Sequence, residues 1–213
     1  QSGTTQASVL YEALAEGGIT RLMGIFETLD EKRIGSTRSA RHYFVSFADE
    51  YDAVFVHYGQ TVYATKKIAE LGIDTLSGLS SLGETVFYRD PSIKAPHNAF
   101  SSRAGIEKGM AIKKYETEYP KDYTGHFKFN TKDTTPDSEK TVAKLTLGFS
   151  SSASPYFTYD KDTKTYLRYQ FDTEHIDKNT GKQLKFKNII VQFVKEWDKD
   201  KNHYQTMDIE NAT

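Results

Sequence analysis

The segment ARHYFVSFADEYDAVFVHYG, residues 40–59, gives the clearest indication of fold class, because a helical pattern runs directly into a strand pattern. From Ala40 to Tyr51 the apolar residues recur at i, i+3, i+4, i+7, i+8 and i+11. This spacing is typical of a helix that packs one face on a sheet. The following AVFVHYG predicts a buried strand that ends at Gly59.

The sequence on both sides of this unit continues the alternation of helices and strands. Gly72 is the expected C-cap of a second amphipathic helix, and Pro91 breaks a third strand. The predicted helices are TTQASVLYEALAEGG (4–18), TVYATKKIAELG (61–72) and SSRAGIEKGMAIKKYETEY (101–119), and the predicted strands are ITRLMGIF (19–26), AVFV (53–56) and ETVFYRD (84–90). This order predicts an α/β layered domain, with helices packed on a sheet, over residues 1–122.

After residue 122 the pattern becomes that of antiparallel β-structure. A polar stretch, TKDTTPDSEK (131–140), leads to segments of period two that are rich in aromatic and β-branched residues. These segments are TVAKLTLGF (141–149), PYFTYD (155–160), KTYLRYQF (164–171) and LKFKNIIVQFVKEW (184–197). We predict a β-rich second domain over residues 123–213, truncated at its C-terminus, and hence an α+β protein of two domains.

The composition excludes several classes of protein. The 28 basic and 29 acidic residues leave no basic excess of the kind that nucleic-acid binding requires. The absence of cysteine excludes disulfides, thiolate metal sites and a cysteine nucleophile. No apolar run approaches the roughly 18 residues of a transmembrane helix. The chain has no initiator Met and no signal peptide, so we expect a mature form or an excised fragment.

Arginine is concentrated in the first half of the chain, where RIGSTRSARHYF (33–44) places three arginines within nine residues. Ser36 or Thr37 is the expected N-cap of the helix that follows, and the free N–H groups at a helix start bind anions. Arg38 and Arg41 lie off the apolar stripe and can add forked donors at the same point.

Further polar residues follow the ends of the predicted strands, where ligands bind in open α/β sheets. A helix start, arginines and histidines at one edge of a sheet would make a strong anion site. The predicted ligand-binding residues are Arg38, Ser39, Arg41, His57, Arg89, His97 and Asn98.

The same residues have structural interpretations. The two arginines at the helix start can pair with acidic groups across a packed interface, with Glu12, Glu16 or Asp49 as partners. His57 can be a buried, hydrogen-bonded histidine. Glu12 and Glu16, at i and i+4 on the predicted first helix, can be an acid and a base, exposed carboxylates, or partners of Arg21.

No standard catalytic signature is present, so the catalytic residues are unknown from the sequence, and the candidates are His57, His97, Glu12 and Glu16. H-E-x-x-H, G-x-x-x-x-G-K-[ST], G-x-G-x-x-G and G-x-S-x-G are all missing. DKDKNHYQTMDIE, from Asp198, begins like a calcium loop but has His203 and Ile209 where glycine and glutamate are needed. It predicts a hairpin, and we predict no metal and no cofactor.

Seven segments together resemble the YerB-like family of bacterial lipoproteins, whose domains have no known function. They are VLYEALAEGGITRLMGIFE, IGSTRSARHYF, EYDAVFVHYG, FYRD, APHNAF, DKNTGKQL and NIIVQFV. The resemblance covers the chain to about Gln192 and implies two domains. It also implies an extracytoplasmic protein of Gram-positive bacteria, tethered by a lipidated cysteine that would precede Gln1. The shared blocks contain Glu12, Glu16, Arg21, Arg38, Ser39, Arg41, His57, Arg89, His97 and Asn98.

Three functional hypotheses follow from the sequence and the resemblance. The first is a non-enzymatic envelope module that binds an anionic small molecule, a cell-wall polymer or an envelope protein. The second is a hydrolase or transferase acting on such a polymer, with a His/Glu pair and arginines that stabilise negative charge. The third is an assembly factor with structural arginines, which predicts that Arg38 and Arg41 are neutralised internally and that an apolar patch is exposed elsewhere.

Overall fold

The structure is a computed structural model that describes residues 1–134, 138 and 140–213, so the predicted polar stretch 131–140 lies partly outside the described residues. The described part forms four α-helices and fourteen strands, which confirms the α+β character. None of the helices formed by these residues combines the length and hydrophobicity needed to span a lipid bilayer. The layered arrangement of the first half and the domain boundary at residue 122 stay predictions.

A β-hairpin occupies the place of the first predicted helix. Its two strands pair antiparallel with Val9 opposite Ile25: β1 (Val9–Leu14) and β2 (Thr20–Ile25). Gly17 and Gly18 form the turn with φ of 76° and 69°. The helix predicted over 4–18 is therefore wrong, and the strand predicted at 19–26 is confirmed. Helix propensities differ by less than about 1 kcal/mol per residue, so pairing with β2 outweighs the preference of Ala, Leu and Glu for helix.

The entrance to the central helix is extended rather than helical. β3 (Ile34–Gly35) leads through this extended segment to α1 (His42–Asp49). Within the segment, the N–H of Thr37 donates to the Ala99 carbonyl and that of Ala40 to the Gly59 carbonyl, both at 2.8 Å. Because these bonds hold the backbone extended, the N-cap predicted at Ser36 or Thr37 is wrong. The helix begins at His42, and its N-cap, Arg41, makes no side-chain capping bond.

The helix–strand–helix unit predicted from residues 40–72 is confirmed. It continues from α1 with β4 (Phe55–His57) and α2 (Val62–Leu71), followed by β5 (Thr75–Ser77), which pairs parallel with β4. The apolar stripe of the first helix is buried at Tyr43, Phe44, Phe47, Ala48 and Tyr51. Thr61 caps α2 by accepting from the N–H of Ala64 at 3.1 Å, and Gly72 ends it with φ of 68°.

A second small sheet completes the first half. Its antiparallel order is β3–β7–β6, and the chain passes through α3 (Gly83–Val86), β6 (Phe87–Arg89), β7 (Ala99–Ser101) and α4 (Arg103–Lys113). The strand predicted at 84–90 therefore starts as a helical turn, and the last predicted helix ends at Lys113 rather than Tyr119. Since β4 and β6 belong to different sheets, the expectation that their ends share one sheet edge is wrong.

The second half forms the predicted antiparallel sheet. Five strands take part: β8 (Lys144–Thr146), β9 (Tyr156–Asp160), β10 (Thr165–Gln170), β11 (Thr173–Glu174) and β12 (Lys185–Phe186). Their order is β11–β10–β9–β8, with β12 also paired to β10. Arg168, on the central strand β10, is 1% exposed, which is unusual for an arginine and marks a buried polar contact with the first half.

The last hairpin packs on the first half of the chain. β13 (Glu196–Asp198) and β14 (Gln205–Met207) pair antiparallel, as predicted for the calcium-like sequence. Met207 joins the hydrophobic core that contains Tyr43 and Phe44 of α1. Thr206 hydrogen-bonds the ring of His42 at 2.8 Å. The core of the first half is therefore completed by residues near position 207.

The segment between β12 and β13 carries exposed apolar side chains. The strand predicted across 184–197 is interrupted, because the structure assigns no strand to residues 187–195. Within this segment, 67% of Ile190 and 73% of Phe193 are exposed. The assembly-factor hypothesis expects such a patch.

Candidate functional site

A small pocket brings together three of the predicted ligand-binding residues. It has a volume of about 200 Å³, and we call it the arginine pocket. Its lining residues are Thr37, Arg38, Ser39, Tyr58, Gly59, Leu79, Arg89, Pro96 and Ala99. The segment before α1, the loops after β4 and β5, the end of β6 and the start of β7 thus meet at one place.

Backbone hydrogen bonds fix the floor of the arginine pocket. The N–H of Tyr58 donates to the Arg38 carbonyl at 3.1 Å, and the hydroxyl of Ser39 donates to the Tyr58 carbonyl at 3.2 Å. Gly59 has φ of 83°, and a Cβ at this position would lie 2.9 Å from the Ser39 hydroxyl oxygen. Glycine is needed here both for the turn after β4 and for the close approach of Ser39.

The two arginines of the pocket have neutral partners. Arg38 Nη1 donates to His97 Nδ1 at 2.8 Å and to the Pro96 carbonyl at 3.2 Å. Arg89 Nη1 donates to the Oδ1 of buried Asn98 at 2.7 Å, and its guanidinium lies 4.7 Å from the centre of the Tyr58 ring. Among the described residues, no carboxylate forms an ion pair with either arginine. Two positive charges therefore face the same small volume uncompensated.

His97 is held in one tautomer by Arg38. A guanidinium can only donate, so Nδ1 of His97 accepts and the ring proton lies on Nε2. His97 is exposed and lines a second, larger cleft next to the arginine pocket. It therefore offers an N–H donor there.

Arg41 supports the pocket from outside it. Its Nε donates to the two Glu16 carboxylate oxygens at 2.7 and 2.9 Å, and Nη2 adds a 2.5 Å contact. Its Nη1 donates to the Ser39 carbonyl at 3.0 Å. Nη1 of Arg21 donates to the same carbonyl. Burial alone would raise the pKa of Glu16, but the hydrogen bonds and charge of Arg41 outweigh it and hold that pKa below its usual value. Arg41 thus pairs with an acidic group, which is one of the two interpretations that the sequence left open. It also positions the segment before α1 that lines the pocket.

The four catalytic candidates form no histidine–carboxylate pair with one another. Glu12 accepts from Arg168 Nη2 at 2.8 and 3.0 Å and from the Thr20 hydroxyl at 2.7 Å. His57 is 2% exposed, and its Nδ1 donates to the Gly59 carbonyl at 2.8 Å. Its Nε2 is buried with no partner among the described residues. Burial lowers the pKa of His57, so this ring is neutral and positions Gly59 behind the pocket.

The larger cleft contains residues that sequence reasoning missed. It has a volume of about 470 Å³, and we call it the large cleft. Its lining residues are Gln1, Ser2, Arg33, Gly35, Ser36, Ile93, His97, Phe100, Lys178 and Asn179. Arg33 lies 3.7 Å above the Phe100 ring and pairs with Asp90 at 2.7 Å. Lys178 and Asn179 come from DKNTGK, a tight turn by its sequence, and only the resemblance marked this segment.

Acidification is expected to destabilise the protein through two histidines, the half-buried His42 and the buried His175. Burial lowers the pKa of His42 to about 4 and that of His175 to about 3, from 6.5 in the unfolded chain. Below pH 6.5 these histidines bind protons in the unfolded chain but stay neutral in the folded chain. The free energy of unfolding is therefore highest above pH 6.5 and falls as the pH drops toward 4. For partly exposed His42 we expect a loss of about 1–2 kcal/mol, discounted for solvent screening.

Urea unfolding between pH 7.5 and 4.5 measures this loss. The variant His42→Gln should flatten the pH dependence. The matched control is His203→Gln, because this exposed histidine pairs with Asp198 and its pKa is raised, so its removal should not flatten the curve. Equal slopes in the unaltered chain and in His42→Gln would refute the assignment.

The comparisons with known proteins agree with the sequence resemblance. Residues 1–116 match the family described as "Protein of unknown function (DUF3048) N-terminal domain", and residues 145–213 match its C-terminal domain. The chain is 32% identical, over all 213 residues, to "Putative lipoprotein YerB" of Bacillus subtilis (strain 168), and spans 63% of that protein's length. The crystal structure of the YerB protein from Bacillus subtilis superposes with a TM-score of 0.82 at 27% identity, covering 98% of this chain and 69% of the other. The chain thus belongs to the DUF3048 family, whose function is unknown.

Proposed function

We propose that this chain is the ligand-binding part of an extracytoplasmic envelope lipoprotein, a non-enzymatic module that holds an anionic wall component or the carboxylate of an envelope protein. The name of its Bacillus subtilis relative supports the extracytoplasmic location. The observation that carries the binding role is the arginine pocket, which Arg38 and Arg89 both line and where each has only neutral partners among the described residues.

The size and charge of the arginine pocket suit an anionic group rather than a whole ligand. Pockets that enclose drug-sized ligands measure about 300–1,000 Å³, whereas this one has about 200 Å³. Hydrogen bonds to a charged group contribute about 1.5–3 kcal/mol each. A bound anion also relieves the repulsion between the two guanidinium groups. The remainder of the ligand would therefore lie outside the pocket.

The hydrolase or transferase alternative has no specific support in the geometry of the described residues. It requires a histidine and a carboxylate in hydrogen-bond reach beside the arginines. His97 instead contacts Arg38, and Glu12 and Glu16 are held by Arg168 and Arg41. A binding module needs only the hydrogen-bond donors of the arginine pocket.

An assembly factor is the second candidate function. Two observations favour it: Arg41 is neutralised by Glu16, and Ile190 and Phe193 are exposed. Arg38, however, has no carboxylate partner among the described residues. An assembly factor needs no anion, so anion binding separates the two candidates.

Removal of either pocket arginine is expected to weaken anion binding at least tenfold. The variants are Arg38→Gln and Arg89→Gln, and isothermal titration calorimetry with inorganic phosphate and with citrate measures the affinity. Both variants should keep the melting temperature of the unaltered chain within a few degrees, because neither guanidinium takes part in an ion pair in the described structure.

The matched control is Arg103→Gln. Arg103 is exposed at the start of α4, pairs with Glu107 at 2.7 Å and lies outside the pocket lining. Its removal should leave anion binding unchanged. Failure of the unaltered chain to bind either anion, or equal losses in all three variants, would overturn the proposed function and favour the assembly factor.

A further inference from the structure

The arginine pocket and the large cleft share their walls. In three pairs of adjacent residues, one member lines the arginine pocket and the other lines the large cleft. With the pocket residue named first, the pairs are Thr37 and Ser36, Pro96 and His97, and Ala99 and Phe100. Arg38 of the pocket donates to His97 of the cleft at 2.8 Å. The hydrogen bond from Arg38 to His97 therefore joins the arginine pocket to the large cleft.

Both surfaces carry positive charge, and no carboxylate is among the described residues that line them. The described residues that line them contain three arginines, one lysine and one histidine, although the chain has 29 acidic residues and a net charge of −1. The charge of Arg33 is partly balanced by Asp90. Lys178 is exposed and forms no ion pair with any described residue. Lys178 is therefore the free cation of the large cleft in the described structure.

The turn that presents Lys178 is rigidly built. Asp177, just before it, is fully buried, and its carboxylate accepts from the N–H of Asn179 at 2.9 Å. The Asn179 amide in turn donates to the Arg33 carbonyl at 2.8 Å and to the Glu31 carboxylate at 2.5 Å. The backbone that carries Lys178 is thus held next to Arg33, the residue that precedes β3, while the neighbouring carboxylates are occupied.

From this arrangement we infer that the ligand is a linear chain with repeated phosphate groups, one phosphate in the arginine pocket and the next part of the chain in the large cleft beside Lys178 and His97. This inference rests on the proposed function. The two oxygens of a carboxylate lie in one plane, whereas the oxygens of a tetrahedral phosphate point in three dimensions and are better matched to two arginines that come from different segments, Arg38 and Arg89. A single phosphate can occupy only one of the two volumes.

The test compares phosphate chains of increasing length. Calorimetric titrations use inorganic phosphate, pyrophosphate, tripolyphosphate and two longer chains, linear inorganic polyphosphate and poly(glycerol phosphate). We expect each longer chain to bind at least tenfold more tightly than inorganic phosphate. Preference for one of the two long chains identifies the source of the phosphate groups. Poly-L-glutamate of similar length is the carboxylate arm and should bind at least tenfold more weakly.

Three variants separate the two surfaces. Lys178→Ala should abolish the increase in affinity with the length of the phosphate chain and leave the affinity for inorganic phosphate unchanged. Arg89→Ala should weaken inorganic phosphate and chains alike. The control Lys161→Ala removes an exposed lysine of the β9–β10 turn that lines neither surface, and it should change neither affinity.

Each contrary outcome is distinct. A gain with length that persists in Lys178→Ala, or that falls equally in Lys161→Ala, overturns the inference in favour of non-specific attraction. Phosphate binding without any gain with length also overturns it and leaves the proposed function intact. Tight binding of poly-L-glutamate refutes the choice of phosphate. No binding of inorganic phosphate, with chains indifferent to Arg89→Ala, refutes the proposed function itself.

Discussion

Arg168→Met is expected to lower the free energy of unfolding by about 3–5 kcal/mol, the usual cost of removing one partner of a buried ion pair. Arg168 is 1% exposed and donates to both oxygens of the Glu12 carboxylate. It also donates to the Gln170 side chain at 3.1 Å and to His175. Its removal leaves the Glu12 carboxylate with the Thr20 hydroxyl as its only donor among the described residues. For a chain of this size the melting temperature should fall by about 6–20 °C.

Urea unfolding at pH 7.5 measures this effect. The control Lys187→Met removes an exposed ion pair with Asp133 and should leave the free energy of unfolding unchanged within error. The double variant Glu12→Leu with Arg168→Met should recover part of the loss, because no charge then remains buried. A loss in Arg168→Met no larger than in the control would contradict the buried pair.

Asp177→Ala is expected to cost about 3–4 kcal/mol, because several buried donors lose their acceptor at about 1–3 kcal/mol each. The carboxylate accepts from the N–H groups of Gly3, Thr5 and Asn179 at 2.8–3.0 Å and from the Thr5 hydroxyl at 2.8 Å. Burial would raise the pKa of Asp177, but these donors prevail and lower it. The decrease in the free energy of unfolding in Asp177→Ala should therefore resemble the decrease that protonation of this carboxylate causes in the unaltered chain at low pH.

Hydrogen exchange and urea unfolding together test this role. The amides of Gly3 and Thr5 should lose protection in Asp177→Ala, and Asp177→Asn should be intermediate because one acceptor oxygen remains. Asp160→Ala is the control, since Asp160 makes a similar but local turn with Asp162 and Thr163. Unchanged protection at Gly3 and Thr5 would show that the first residues are held by other contacts.

The parts of the fold that local pattern determines were predictable from the sequence. The stripe from Ala40 to Tyr51 and the stop at Gly72 each act within a few residues, and the structure contains both. β1 was not predictable in this way. Its apolar residues fit a helix as well as a strand, and only the partner β2 and the core behind it favour the strand.

The candidate site was predictable in part, for a similar reason. The concentration of arginine in one half directed attention to Arg38 and Arg89, which do line one pocket. Arg41 has the same local sequence context as Arg38, yet of these two arginines Glu16 pairs with Arg41 in the described structure. Lys178 was missed as a site residue because its place beside Arg33 depends on contacts between positions about 150 apart. Pairings at that range leave no local signal.

The hairpin of β13 and β14 sets the order of events when the chain is made. Tyr43 and Phe44 on α1 have their core completed by Met207. At about 5–20 residues per second, synthesis reaches position 207 on the order of ten seconds after the helix has been made. During that interval the aromatic face of the helix lacks the contact that Met207 supplies, and its core is incomplete. Maturation is therefore a late event of the whole chain, and translation rate or a chaperone that shields α1 should influence the yield of native protein.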